Sequence, residues 1–199
     1  KTVTTRGRLA LEPPDRLSLY FPVTGERIAV RADGGEWLQP SLEQMLRNPE
    51  LDALYIATPN NLHAQQSIQA ARAGKHVLCE KPMALIEQDC DNMIEACANH
   101  RVKLGVVFQN RHHPAHLEAR RLVSAGAIGA ISVARAQYGN STVKAALRHG
   151  WRADPEIAGA GALMGTGLHA IDLLRFLLDS EILDVRAWCE PQPPQVDDI

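Results

Sequence analysis

Two polar clusters in this sequence offer side chains able to hold a small polar ligand. Thr58-Pro-Asn-Asn61, with His63 just behind it, follows an apolar run from Ala53 to Ala57, and Glu80-Lys-Pro82 follows one from His76 to Cys79. Ligands of open α/β sheets bind beyond the carboxyl ends of the strands. If both runs are neighbouring parallel strands, Thr58, Asn61, Glu80 and Lys81 converge on one such site. Taken singly, Thr-Pro-Asn reads as a plain turn and Glu80-Lys81 as a solvated pair.

Other motifs are weaker. Gly159-Ala-Gly161-Ala-Leu-Met-Gly165 has roughly the spacing of a dinucleotide fingerprint, whose backbone N–H groups and helix dipole meet a pyrophosphate. It follows a loop rather than a strand and comes late in the topology. We read it as a decoy whose glycines let the backbone pass close to a ligand or bend into the following helix. His112, His113 and His116 have Pro114 among them and no carboxylate or thiolate at ligand spacing, which favours a polar loop over a metal site. The cysteines, Cys79, Cys90, Cys97 and Cys189, include no CxxC pair, so a reducing compartment is expected. Cys90 and Cys97 fall on one helical face and read as core.

The elements that must position these residues follow from period. Ser41 is placed to cap a short helix ending before Pro49. A strand is expected from Ala53 to Ala57, a helix from His63 to Ala73 stopped by Gly74, and a strand from His76 to Cys79. A helix from Ile86 to Asn99, a strand from Lys103 to Phe108 and a helix from Pro114 to Ser124 complete the series. This alternation predicts right-handed crossovers and a doubly wound, Rossmann-like α/β domain, its parallel sheet covered on both faces. Leu17 to Phe21 and Arg27 to Arg31 are spaced to pair as a hairpin but belong to no βαβ unit. Beyond Ser124 the pattern changes. Ala130 to Tyr138 and Ile182 to Cys189 have strand character, and a Gly-rich segment feeds an apolar helix from about His169 to Leu178. Three segments result: an atypical N-terminal stretch (1–40), a partial dinucleotide-binding domain (41–125) and a truncated α+β substrate and oligomerisation domain with a mostly antiparallel sheet (126–199).

Composition sets the outer limits. Of 199 residues 45% are apolar and 22% charged, which argues against disorder; 21 Lys and Arg against 23 Asp and Glu leave a net charge of −2 with no long run of either sign, so no nucleic-acid partner is expected. The longest weakly charged apolar stretch, Ala158 to Ile171, is too short to span a bilayer, and Lys1 to Pro14 has no continuous apolar segment of signal-peptide length. No membrane partner and a cytoplasmic setting are the expectations.

Ala73-Gly-Lys-His-Val-Leu-Cys-Glu-Lys-Pro82, Trp151-Arg152 and the stretch from Gly159 to His169-Ala-Ile-Asp172 together resemble the Gfo/Idh/MocA family of NAD(P)-dependent oxidoreductases, over about Ser41 to Ala187. The resemblance implies a nicotinamide cofactor, NAD or NADP, a sugar, polyol or related substrate, and a homo-oligomer. It implies that Lys81 reaches the reacting carbon, where partial burial beside a cationic ring would lower its pKa. It also implies that His169 is the general base. Thr58, Pro59, Asn61, His63, Glu80 and Lys81 match cofactor-lining positions; Arg111, Trp151 and Arg152 match pocket positions. Asp172, one helical turn from His169, matches the His-x-x-Asp pattern; it is expected among the substrate-binding residues with Arg111, Trp151 and Arg152, and either orients that imidazole or favours the helix N-terminus.

Three departures accompany the resemblance. No Gly-rich fingerprint or ribose-binding acid precedes Ser41. Gly165 stands where many members carry an aspartate four residues before the histidine. The second sheet ends unfinished. A fragment, or an altered reading frame upstream of Pro40, accounts for the first and third. Redox-assisted glycoside cleavage on the same fold, and a degenerate binding or regulatory protein, are the competing readings.

Overall fold

The computed structural model describes residues 16–20, 27–31, 41–137, 150–159, 161 and 163–187. Its strands are β1 (Arg16–Tyr20), β2 (Arg27–Arg31), β3 (Ala53–Ile56), β4 (His76–Cys79) and β5 (Leu104–Val106). Its helices are α1 (Leu42–Arg47), α2 (His63–Arg72), α3 (Glu87–Asn99), α4 (Pro114–Ser124), α5 (Pro155–Ala158) and α6 (Leu168–Leu178). One sheet runs in the order β2-β1-β3-β4-β5. β1, β3, β4 and β5 are parallel, and β2 is an antiparallel edge strand paired with β1. The expected hairpin therefore forms, and it also joins the sheet, because Leu19 and Tyr20 pair with Tyr55 and Ile56.

Local chemistry explains the helix boundaries. Ser41 Oγ accepts from Gln44 N at 3.2 Å while Gln44 Oε1 accepts from Ser41 N at 2.7 Å, a reciprocal box that starts α1. Gly74, at φ 73°, supplies the left-handed residue that ends α2. Pro114 occupies the first turn of α4, where its missing N–H costs nothing, and His113 Nδ1 accepts from Ala115 N at 3.2 Å.

The buried side chains form one core. Leu54 and Ile56 of β3 and Val77 and Cys79 of β4 alternate onto one face, where they meet Met45, Ala70, Ala71, Met93 and Cys97 from α1, α2 and α3. α2 and α3 pack against each other above this face. Cys97 is buried and Cys90 packs against its edge, as the seven-residue spacing predicts. On the other face Leu78 remains 46% exposed, so among the described residues the sheet is covered chiefly on one side, not on both.

Three expectations need correction. Residues 130–137 and 181–187 carry no strand: among the described residues neither has a ladder partner, and Val133, Leu183 and Val185 point outward at 81%, 98% and 73% exposure. Backbone pairing, not side-chain propensity alone, makes a strand, so the β-branched character of these segments does not suffice. Tyr138, Trp188 and Cys189 lie outside the described residues. Finally, Pro155–Leu178 is long and apolar enough to cross a membrane by length and composition, beyond the stretch expected. It is broken at Gly159 (φ 87°), buries His169 and Asp172, and packs α6 on α4, which is the pattern of a helix docked in a protein.

Met93, with no exposure, is the test of this core. Met93→Ala is expected to lower unfolding free energy by about 2–5 kcal/mol in denaturant titration. Ile94→Ala, at a neighbouring position 55% exposed, should change it by no more than about 0.5 kcal/mol. Equal midpoints for the two variants would remove α3 from the core.

Candidate active site

The sheet register brings the two polar clusters together. β3 and β4 pair from Ala53↔His76 to Ile56↔Cys79, and the ladder continues past their ends: Glu80 N donates to Ile56 O and Val107 N to Cys79 O, both at 2.8 Å. Three adjacent strands thus end nearly level, and the chain beyond each must turn at the same edge. A cavity of about 550 Å³ opens there. Thr58, Asn60 and His63 form one wall, Glu80, Lys81 and Pro82 a second, Trp151 and Arg152 a third, and the π turn Leu163–Gly167 contributes Met164, Gly165 and Thr166.

Lys81 spans from the sheet to the π turn: its Nζ donates to Gly165 O. Burial pushes the ammonium below its ordinary pKa and the Arg152 guanidinium adds to the fall, while Glu80 opposes both. Glu80 is braced on both oxygens, accepting from Tyr55 Oη at Oε1 and from Lys81 N at 3.2 Å at Oε2. Burial first, then Glu80, pushes the Tyr55 phenol up. Tyr55 was not read from the sequence, although period-two alternation gives it away. It pairs with Leu78, and Glu80, two residues on, faces the same side of the sheet.

His169 is the second residue of α6 and is buried, at 7% exposure. Its ring meets Phe108, just beyond β5, edge to face with centroids 6.4 Å apart. Burial pushes the imidazole below its ordinary 6.5, and the Lys81 charge is the next cause; Glu80 and Asp172 pull the other way. The ammonium and the imidazole therefore occupy one end of the molecule, although His169 sits behind the cavity lining rather than in it.

Of the remaining expected residues, Thr58 is buried in the cavity wall, Pro59 opens the single 3₁₀ turn Asn60–Leu62, and His63 is buried beneath that turn. Asn61 is exposed and outside the lining, whereas Asn60 lines it and donates from Nδ2 to Ala158 O at 2.8 Å. Consecutive residues of a 3₁₀ turn point about 120° apart, so only one of the two asparagines can face inward. Arg152 lies 4.3 Å above the Trp151 ring, and both border the cavity.

Arg111 and Asp172 take a different place from the pocket contacts expected of them. Arg111 Nε donates to both Asp172 oxygens, at 3.0 and 2.8 Å, and Nη2 donates to Oδ1. The guanidinium also lies 5.6 Å from the Phe108 centroid and 5.7 Å from that of Phe176. A planar fork matched to a carboxylate commits Nε and Nη2 of Arg111 to Asp172, and neither residue lines the cavity at the strand ends. The pair instead ties the turn Gln109–His112 to α6 and holds the helix that carries His169. Gly159, at φ 87°, bends the chain after α5, and a Cβ there would stand 2.9 Å from Leu85 Cδ2, so a close packing approach accounts for this glycine.

Comparison with known proteins decides the kinship. Residues 24–108 match a family described as "Oxidoreductase family, NAD-binding Rossmann fold", and residues 116–199 match the GFO/IDH/MocA C-terminal domain. The chain belongs to the Gfo/Idh/MocA family. Its relatives include a 1,5-anhydro-D-fructose reductase of Ensifer adhaerens, 36% identical over 71% of this chain and 42% of that protein. A levoglucosan dehydrogenase of Pseudarthrobacter phenanthrenivorans is 35% identical over 84% of this chain and 44% of that protein. A solved levoglucosan dehydrogenase, in complex with NADH and levoglucosan, superposes with a TM-score of 0.63 at 36% identity, over 68% of this chain and 37% of that one. The chain spans less than half the length of these Gfo/Idh/MocA relatives.

The family's cofactor can be tested against the residues present. Thr58 Oγ1 is buried in the cavity wall and has no hydrogen-bond partner among the described residues, a cost that a bound polar group would relieve. The flat Trp151 ring and the Asn60 and Lys81 side chains border the same space. These groups fit the nicotinamide end of a dinucleotide.

The Arg111–Asp172 strut has a measurable weight. Asp172 is only 6% exposed and Arg111 39%, so Arg111→Ala leaves a nearly buried carboxylate unpaired. A loss of about 2–3 kcal/mol is expected, the low side of the buried-pair range because the guanidinium is partly solvated. Arg111→Lys should recover little of it, since an ammonium lacks the fork. A double-mutant cycle with Asp172→Asn that returns no coupling would dismiss the strut.

Proposed function

We propose that this chain belongs to an NAD(H)-dependent oxidoreductase acting on a sugar, polyol or related hydroxy or keto compound. Lys81 is the group at the reacting carbon and His169 the proton store behind it. One observation carries this reading: a lysine with a lowered pKa lines the cavity at the strand ends while a histidine with a lowered pKa lies within reach of its charge. The relatives' names supply the substrate class, and NADH in a similar solved structure supports NAD(H).

A bound nicotinamide dinucleotide would supply or accept the hydride. Thr58 and Asn60 would hold its carboxamide end, and Trp151 would shield it from water. Lys81, anchored through Gly165 O, would hydrogen-bond the substrate oxygen and stabilise the charge that gathers there. In the oxidising direction the hydroxyl proton leaves that oxygen and is taken up by His169, with Lys81 between them. A neutral imidazole is needed for that step, and burial together with the neighbouring ammonium favours the neutral form. NADP as an alternative cofactor fits the same nicotinamide end, so it is distinguished by titration.

Lys81→Ala is expected to lower turnover by about 10²–10⁴-fold while leaving NADH binding within a few-fold, read by steady-state kinetics and by fluorescence titration of the purified protein. Unchanged turnover would remove Lys81 from its role, and NADH binding with no turnover on any sugar or polyol would select the fold-retaining binding protein. For oxidation, kcat/KM should rise with pH through the His169 ionisation, with its acid midpoint below 6.5 because the folded pKa is depressed. His169→Asn should flatten that limb.

A further inference from the structure

His63 is placed where a cofactor contact is expected, yet neither ring nitrogen has a bond to spare. It is 1% exposed, Nδ1 lies 2.7 Å from Pro82 O, and Nε2 lies 2.8 Å from Thr58 O. A carbonyl oxygen only accepts. A neutral imidazole has one N–H and one lone pair, so either tautomer satisfies one carbonyl and sets a lone pair against the other at hydrogen-bond distance. Only the doubly protonated ring makes both bonds, and each is then charge-assisted.

The two carbonyls belong to the two turns that build the site. Thr58 follows β3 and presents its buried hydroxyl to the cavity; Pro82 follows Lys81 directly. We propose that His63 is a positioning residue, an imidazolium clamp that fastens the Thr58 turn to the Lys81–Pro82 turn and so fixes where the Lys81 ammonium stands. The clamp itself is independent of the oxidoreductase reading; only its effect on turnover rests on that reading.

Among the described residues, the charged and titratable groups around the clamp come from β3, β4 and the far wall of the cavity. From the β4 side these are Glu80, whose carboxylate favours the cationic ring, Lys81, which opposes it, and Cys79, whose thiol burial pushes up to about 12 and therefore keeps neutral. Tyr55, from β3, is likewise neutral and hydrogen-bonded to Glu80. Across the cavity stands Arg152, 4.3 Å over Trp151 and directed at that ring. Loss of one ring proton would break one of the two bonds and part the turns.

The test is ring ¹⁵N NMR of the histidine-labelled chain, assigned through His63→Gln, at pH 6 to 8. Two protonated ring nitrogens on His63 at pH 6, each coupled to a carbonyl across its hydrogen bond, are expected. A single protonated nitrogen at that pH in the folded protein would overturn the clamp without touching the oxidoreductase reading. His63→Gln keeps one donor and His63→Leu none, so the Lys81 Cε resonance should shift in both and further in the second. Misplacement of a reacting group by about 1 Å costs up to about 100-fold, so kcat is expected to fall about 10- to 100-fold with the cofactor Kd changed less than about threefold. An unmoved Lys81 resonance in folded His63→Leu would refute the positioning role. If that variant does not fold, the wild-type ring spectrum still decides.

Discussion

The hydrogen bond from the Lys81 ammonium to the Gly165 carbonyl joins what the two ends of the site contribute. On one side is the edge of a parallel sheet, on the other an irregular turn leading into the helix of His169. A lysine stem has four rotatable bonds and, left in water, would sample many of them. Half-burial of the stem and one charge-assisted acceptor reduce that freedom, so the ammonium is held at the cavity wall before any ligand arrives. Asn60 to Ala158 O and Arg111 to Asp172 are further ties from the sheet to the segment beyond residue 150. All three use polar donors on the sheet side. That segment is thus oriented by directional bonds as well as by apolar packing, and orientation is what a site built from two parts requires.

Burial and charge act on the Lys81 ammonium and the His169 imidazole in the same direction. Removing an ammonium and an imidazolium from water disfavours each, and a neighbouring cation adds to the fall, Arg152 for Lys81 and Lys81 for His169, so both are driven toward their neutral forms. Glu80 limits the effect. Its carboxylate raises both groups, but it is braced by Tyr55 and by the Lys81 backbone, which holds it at the sheet edge. A proton lost from Lys81 relieves the neighbouring imidazolium of one repulsion.

Much of this was legible in the sequence because it follows from backbone regularity. Apolar runs bounded by Thr-Pro-Asn and Glu-Lys-Pro fixed β3, β4 and the edge where they end; Ser41, Gly74 and Pro114 marked helix boundaries through chemistry that needs no tertiary context. Less legible were features decided by a single rotation or by a distant partner. Whether Asn60 or Asn61 faces the cavity depends on the phase of one 3₁₀ turn. Arg111 and Asp172, 61 residues apart, each look like a ligand contact until their mutual fork is seen. The segments at 130–137 and 181–187 have the residue types of strands, but strand formation depends on a partner ladder that residue type does not encode.

Gly165 at the end of the Lys81 side chain is more than the lack of a carboxylate. A carboxylate there would orient the ammonium equally well, but its full negative charge would stabilise the protonated lysine and push its pKa up, as a nearby opposite charge does. A backbone carbonyl is a dipole: it fixes direction while adding far less electrostatic affinity for the proton. With the carbonyl as acceptor, burial and Arg152 outweigh Glu80, and the lysine stays below its ordinary pKa. The same substitution removes a negative charge from the surroundings of His169, four residues on, which likewise leaves its imidazole depressed rather than raised. A glycine at this position thus keeps both groups below their ordinary pKa values, with Glu80 opposing the fall at both and Asp172 at His169.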